Sequence, residues 1–281
     1  MSRPTQDRSK NILSKLSDIR CLNMNTASKV AAIARVTILE SVRRKDAYVV
    51  LVLGLVVMLG AALFSSFGVE GLEKFVKDIA LSVTSLFASV ICIAAAARQI
   101  PHEIENRTLY PLLAKPIGRS VFFLGKFVGV GVISSVVVLA FFVEILVLFM
   151  IFKIDIGVLF FQAVYLRVLS MWFIAALTLA MSLVLTHAAN VTISMLLVLA
   201  MQTFANTIIT VHGGLTGVSQ RIAEAIYWFA PHLELFNLGK LVVHEYPPVP
   251  IWVLAALTVY AIVYSGIFLA AGCVKLRRMA L

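Results

Sequence analysis

Residues Phe127–Phe152 read FVGVGVISSVVVLAFFVEILVLFMIF, a run whose single charge is Glu144. A helix rises 1.5 Å per residue, so roughly 20 apolar residues cross a ~30 Å hydrocarbon core. This stretch is long enough to do so, and runs of similar length recur at about Ala47–Phe67, Ile79–Ala97, Phe160–Thr186, Val191–Val211 and Ile251–Val274. The pattern predicts an all-α integral membrane protein with six transmembrane helices. Composition agrees: 61% of the residues are apolar and 14% charged, where a soluble domain has roughly 45–50% and about 25%. Too few charged side chains exist to cover a water-facing surface.

The charges between the runs are sorted. Of the 24 Lys and Arg residues, ten precede Tyr48, five lie between Arg98 and Lys126, and three close the chain at Lys275, Arg277 and Arg278. Alternate crossings put all of these on one side, which carries 18 basic and 6 acidic residues against 6 and 8 in the rest of the chain. That asymmetry is the positive-inside bias. It places both termini and the 98–126 connection in the cytoplasm and the 212–250 segment outside, in a multi-pass protein of the plasma membrane (the inner membrane of a bacterium). It also accounts for the net charge of +10 without nucleic acid as a partner.

Two divisions are expected. Residues 1–25 form a basic cytoplasmic tail, in which Ser9–Leu22 has an amphipathic pattern, and 26–281 form one membrane domain. From Thr26 the sequence TASKVAAIARVTILESVR reads as a helix ahead of Arg43, Arg44 and Lys45, an interfacial elbow leading into the first span. The first apolar run starts near residue 47, too late and too long for a cleaved secretory signal. Cys21, Cys92 and Cys273 are far apart, so neither a disulfide nor a metal spacing is indicated.

No catalytic constellation is expected in this chain. A phosphate cradle needs G-x-x-x-x-G-K-[ST]. The nearest string, Gly118 to Lys126, has six residues between its glycines and Phe127 after the lysine. His102-Glu103 lacks the second histidine of H-E-x-x-H, and there is no G-x-S-x-G nucleophile elbow. His212, His232 and His244 are too widely spaced to suggest a metal site.

The 98–126 connection is far longer than two spans require. It holds Glu103, Glu105 and Arg107, then the apolar Leu109, Tyr110, Leu112 and Leu113, then Lys115, Pro116 and Arg119. Pro101 and Pro116 bracket a potential short helix, because proline suits a first turn and blocks an interior. Apolar anchors ringed by both signs of charge fit a groove on a protein partner, with a helix lying on the bilayer as the alternative.

The run IPHEIENRTLYPLLAKPIGRSVFFLGKFVG, residues 100–129, resembles the second-to-third-span loop of ABC transporter permeases of the type-2 exporter class. The nearest group is the permeases of multicopper-enzyme maturation. AIARVTILESVRRKDAYVVL before the first span and IYWFAPHLELFNL before the last fit the same resemblance. It implies a coupling helix that docks on a separate ATPase subunit, which would hold ATP and magnesium while this chain holds no cofactor. It also implies a second permease chain, in a homodimer or heterodimer, among membrane lipids. Carried onto this sequence, Glu103, Glu105, Arg107, Thr108, Leu112, Lys115, Pro116 and Arg119 contact the ATPase and transmit force.

Glu144 and Arg167 lie at similar depths in neighbouring spans. A charge at a helix centre costs roughly 2.5–3.5 kcal/mol on insertion scales and so pairs or faces a cavity. An intramembrane Glu144–Arg167 ion pair is expected, with a substrate pathway or snorkelling as alternatives. Gly125, Gly129 and Gly131 suit close helix packing. Tyr227, Trp228, Phe229, Phe236 and Trp252 suit an interfacial aromatic belt, with a short re-entrant hairpin as the alternative. A gradient-driven transporter and a non-transporting scaffold remain as rival functions. The apolar spans lean towards a lipid-like or amphiphilic cargo.

Overall fold

The computed structural model describes residues 26–65, 72–105, 118–212 and 231–278. In chain order the helices are α1 (Thr26–Arg43), α2 (Asp46–Ser65), α3 (Leu72–Arg98), α4 (Pro101–Glu105), α5 (Arg119–Phe152), α6 (Val158–Met181) and α7 (His187–His212). A 3-10 turn at Leu233–Phe236, a short α8 (Gly239–Val243) and the long α9 (Ile251–Arg278) follow. No strand occurs among the described residues.

Four stretches are long and apolar enough to cross a membrane: Lys74–Glu103, Arg119–Phe152, Val158–Met181 and Ile251–Arg278. Two others, the described apolar parts of α2 and α7 at Tyr48–Gly60 and His187–Gln202, are shorter. At 1.5 Å per residue the 34 residues of α5 extend about 51 Å, well beyond a hydrocarbon core, so part of this helix stands in the interfacial region.

The core lies between α3, α5 and α6. Phe123, Phe141 and Phe149 of α5, Phe160 and Phe173 of α6, Ile93 of α3 and Ile100 in the turn after it are fully buried. Several buried hydroxyls in this core are satisfied within their own helix, as polar groups require where no water is present. Thr84 Oγ1 donates to Ala80 O (2.9 Å) and Ser89 Oγ to Ser85 O (2.7 Å). Between helices, Trp172 Nε1 donates to Ser135 Oγ (3.0 Å). The outer helices bury less: Val52 and Val56 of α2 and Val259 and Ile262 of α9 are exposed, as side chains facing lipid would be.

α1 packs along the first half of α5. A Cβ on Gly125 would lie 2.7 Å from Ile33 Cβ, and one on Gly129 would lie 2.6 Å from Thr37 Cβ. Both helices advance four residues between these contacts, so they run in the same direction with their ridges interlocked. The absence of side chains at 125 and 129 is what allows the approach. Gly131 in turn accepts the Trp172 ring, 2.7 Å from where its Cβ would stand. The three glycines thus serve helix packing within the chain, and the 125/129 face is covered by α1.

Two connections are informative. α5 ends at the left-handed Lys153 (φ 55), where Ile154 N donates to Phe149 O (2.9 Å). This turn satisfies a carbonyl that the helix end would otherwise orphan, and α6 resumes after Gly157 as the spacing predicts. The α6–α7 turn falls at 182–186, earlier than the HAAN stretch (187–190) where the sequence places it. Asn190 explains the shift. It sits inside α7 with no exposed surface, and its Nδ2 donates back to Thr178 O (3.2 Å). Ser194 Oγ donates to Asn190 Oδ1 (3.1 Å), so the polar residues that resembled a turn are instead the internal fastening of the hairpin.

Candidate functional site

The candidate site is the end of the bundle that carries the 98–126 connection, referred to below as the Lys126 end. α4 starts at Pro101, whose missing N–H is no loss in a first turn. Glu103 lies on α4 and Glu105 is its last residue. Arg107, Thr108, Leu112, Lys115 and Pro116 lie outside the described residues, as do Leu109, Tyr110 and Leu113. Arg119 is the first residue of α5.

A buried cation closes the base of the connection. Lys126 is only 2% exposed, yet its ammonium is well provided for. It donates to Gln99 Oε1 (3.0 Å) and forms an ion pair with Glu103 Oε1 (2.5 Å), while the Phe122 ring lies 5.8 Å from the nitrogen. Taking a charge out of water is tolerable when an opposite charge and hydrogen bonds replace the solvent. Gln99 and Glu103 are four residues apart in sequence, Gln99 in the turn that follows α3 and Glu103 on α4. That spacing was the available signal for this site, and Lys126 was not among the residues singled out from the sequence.

Arg119 faces the last helix. Its Nη1 donates to Leu276 O (3.1 Å) and Arg277 O (3.2 Å), carbonyls that the end of α9 leaves without helical partners. Arg277 reciprocates, with Nε (3.3 Å) and Nη2 (3.0 Å) on Ser120 Oγ. The described residues on either side of 106–117 are therefore tied down: Glu103 to α5 through Lys126, and Arg119 to α9. Beside this base, a groove of about 80 Å³ opens between α1, α2, α3 and α5. Glu40, Arg44, Arg98 and Gln99 lie at its polar side, and Arg44 pairs with Glu40 one turn away (3.4 Å).

At the opposite end, the Lys77 end, the charges are arranged differently. Lys77 Nζ meets Glu245 Oε1 at 2.9 Å across a cavity of about 410 Å³ that Asp155, Tyr246 and Pro248 help to line. Lys77 is buried, whereas the Glu245 side chain is 63% exposed. The hydrogen bond and charge of Lys77 hold the Glu245 carboxyl below its ordinary value. Glu245 has a left-handed backbone (φ 55), a costly conformation for a residue with a Cβ. Burial pushes His232 below its ordinary value against the opposing charge of Glu234. Gln162 of α6 pins the proline-rich stretch ahead of α9, donating to Val249 O (3.0 Å) and accepting from Val249 N (2.8 Å).

The expected Glu144–Arg167 ion pair is not formed among the described residues. Arg167 is 9% exposed and donates through Nη2 to Asn237 Oδ1 at 3.4 Å. Glu144 shares its side of α5 with Val147 and Ile151, both largely exposed, and its Oε2 has no hydrogen-bond donor. The two residues match in depth but point to different sides of the bundle. The aromatic belt needs revision too. Phe236 is buried against Tyr260 (centroids 6.2 Å apart) and Trp252 is 73% exposed, while Tyr227, Trp228 and Phe229 lie outside the described residues.

All-helical architecture with several membrane-length apolar helices defines a multi-pass membrane protein. Residues 5–281 match the family described as ABC-2 family transporter protein, and the chain belongs to that family. It is thereby a membrane component of transport, of the permease type. No curated protein matches it.

Proposed function

We propose that this chain is the permease subunit of an ATP-driven exporter, working with a separate ATPase that binds ATP and magnesium. Six crossings, with α2 and α7 completing the four longer spans, would put both termini and the Lys126 end in the cytoplasm of a bacterial inner-membrane protein. In this reading α1 is the elbow leading to the first crossing, and 98–126 is the coupling segment. Two permease chains would form the translocation path. The apolar spans favour a lipid-like or amphiphilic cargo, and the sequence resemblance is to the multicopper-maturation permeases.

The observation that carries the reading is the anchoring of the coupling segment. The Glu103–Lys126–Gln99 cluster fixes one end to α5, and Arg119 fixes the other to α9. A push on a docked loop would be passed to two long helices at once. Glu103 and Arg119 then serve the segment from behind, bracing it, and direct ATPase contact falls to Glu105, Arg107, Thr108, Leu112, Lys115 and Pro116.

Affinity purification of the tagged chain in mild detergent tests the proposal. A soluble ATP-binding protein is expected at about one copy per permease, and it should be lost when Leu112 is changed to Asp. Recovery of an intact complex without an ATPase would overturn the reading in favour of a gradient-driven transporter or a scaffold.

A further inference from the structure

Arg167 presents an electrostatic problem that the fold leaves to something else. It is buried among α3, α5, α6 and the 236–239 stretch, beside a cavity of about 30 Å³. The neighbouring walls are apolar except at Thr84 and Asn237. Thr84 already donates its hydroxyl hydrogen to Ala80 O. Among the described residues no carboxylate lines the cavity, and the side-chain partner of the guanidinium there, a neutral amide oxygen, is at the long distance of 3.4 Å. A guanidinium has five N–H donors. A single long hydrogen bond to a neutral amide replaces little of the hydration lost, and buried charges are ordinarily paired.

The cavity beside the guanidinium has the size of a small ion. A volume of about 30 Å³ is close to one water's share of the liquid, room enough for a monatomic ion. Asn237 supplies a second donor group. Its Oδ1 accepts from Arg167 and also from Gly239 N (3.1 Å), which fixes the amide orientation and leaves its two N–H donors for another acceptor. Asn237 is itself exposed, so the cavity opens to the exterior of the bundle through this residue. A cation with unused donors, a neighbouring amide N–H group and a one-atom space describe a halide site.

We propose that Arg167 and Asn237 bind a single chloride ion, which neutralises the buried guanidinium and joins α6 to the segment ahead of α9. The site is independent of the exporter reading. It lies at the Lys77 end, away from the coupling segment, and would hold whether or not an ATPase binds.

Thermal unfolding of the purified full-length chain in detergent, followed by tryptophan fluorescence, tests this. Chloride is titrated against gluconate at constant ionic strength, so that general screening is held fixed. A ligand bound only by the folded state raises the midpoint with concentration. The wild type should gain a few degrees, saturably, in chloride and in bromide. Arg167→Gln should remove the anion dependence and Arg167→Lys should retain part of it. Asn237→Asp provides an independent arm. A carboxylate beside the guanidinium replaces the ion, so this variant should be as stable in gluconate as the wild type is in chloride. A wild-type midpoint indifferent to chloride, or an equal chloride response in the Asn237→Asp variant, would overturn the proposal.

Discussion

The two ends of the bundle each bury a lysine, and they treat it differently. At the Lys126 end the ammonium, the Glu103 carboxylate and the Gln99 amide are all withdrawn from solvent, and the helices around them interlock closely at Gly125 and Gly129. At the Lys77 end the lysine is equally buried, but its partner Glu245 projects into solvent beside a cavity of about 410 Å³. One end is built as a fixed base, the other with space and a partner that can withdraw. In the proposed exporter reading the coupling segment needs the first kind of support, because a yielding base would absorb the movement it should transmit. A region that must open needs the second.

Breaking the base should give the largest effect. Lys126→Met leaves Glu103 largely buried without its cation, and removal of one member of a buried pair costs about 3–5 kcal/mol. The thermal midpoint in detergent should fall sharply. Changing Glu103 to Gln in the same chain should recover much of the loss, since no uncompensated charge then remains. If Lys126→Met alone is well tolerated, the Lys126 end is no firmer than the other and the contrast between them disappears.

The next effect should come from the α1–α5 seam. At Gly129 an added Cβ meets Thr37 Cβ at 2.6 Å and the Ala34 carbonyl oxygen at 3.0 Å. A backbone atom cannot move aside by changing rotamer, so α1 must shift. Gly129→Leu should therefore destabilise by about 1–3 kcal/mol, the usual range for overpacking. Gly60→Leu is the control, because nothing lies within 4 Å of a Cβ there; its midpoint should stay near that of the wild type. Equal effects at the two glycines would show helix propensity at work and not the seam.

The same contrast shows what the sequence made legible. Apolar runs report spans directly, because the hydrocarbon core sets both their length and their composition. The break between the runs ending at Phe152 and starting near Phe160 was readable for that reason, as was the packing role of the glycines. The α6–α7 turn was displaced because Asn190 carries a turn-forming side chain that is spent on Thr178 inside the helix hairpin. The Glu144–Arg167 pairing failed for a different reason. Depth follows from counting residues at 1.5 Å each, but the direction a side chain faces depends on how helices rotate against one another. Arg167 turned to Asn237, which approaches from a segment distant in sequence. The brace at Lys126 was within reach, through the spacing of Gln99 and Glu103, but the lysine resembled one more positive charge at a span boundary.

The smallest effect, and the finest discrimination between the ends, comes from acid titration of the Lys77–Glu245 pair. Lys77 depresses the Glu245 carboxyl, so the folded state holds the charged form more tightly than the unfolded state does. The contribution is therefore complete above the ordinary carboxylate value and is lost as pH falls through the depressed folded value. Because Glu245 is solvent-exposed, salt should weaken the interaction. The wild type should melt slightly above Glu245→Gln at neutral pH and low salt. That gap should close both on acidification below the ordinary carboxylate range and on raising the salt at neutral pH. Glutamine keeps the size of the side chain at this left-handed position, so the comparison reports charge and leaves backbone strain unchanged. A gap that stays constant through the acid titration would mean that the substitution disturbed packing around the cavity. The Lys77 end would then be held by shape, as the Lys126 end is, and not by a charge that its surroundings can release.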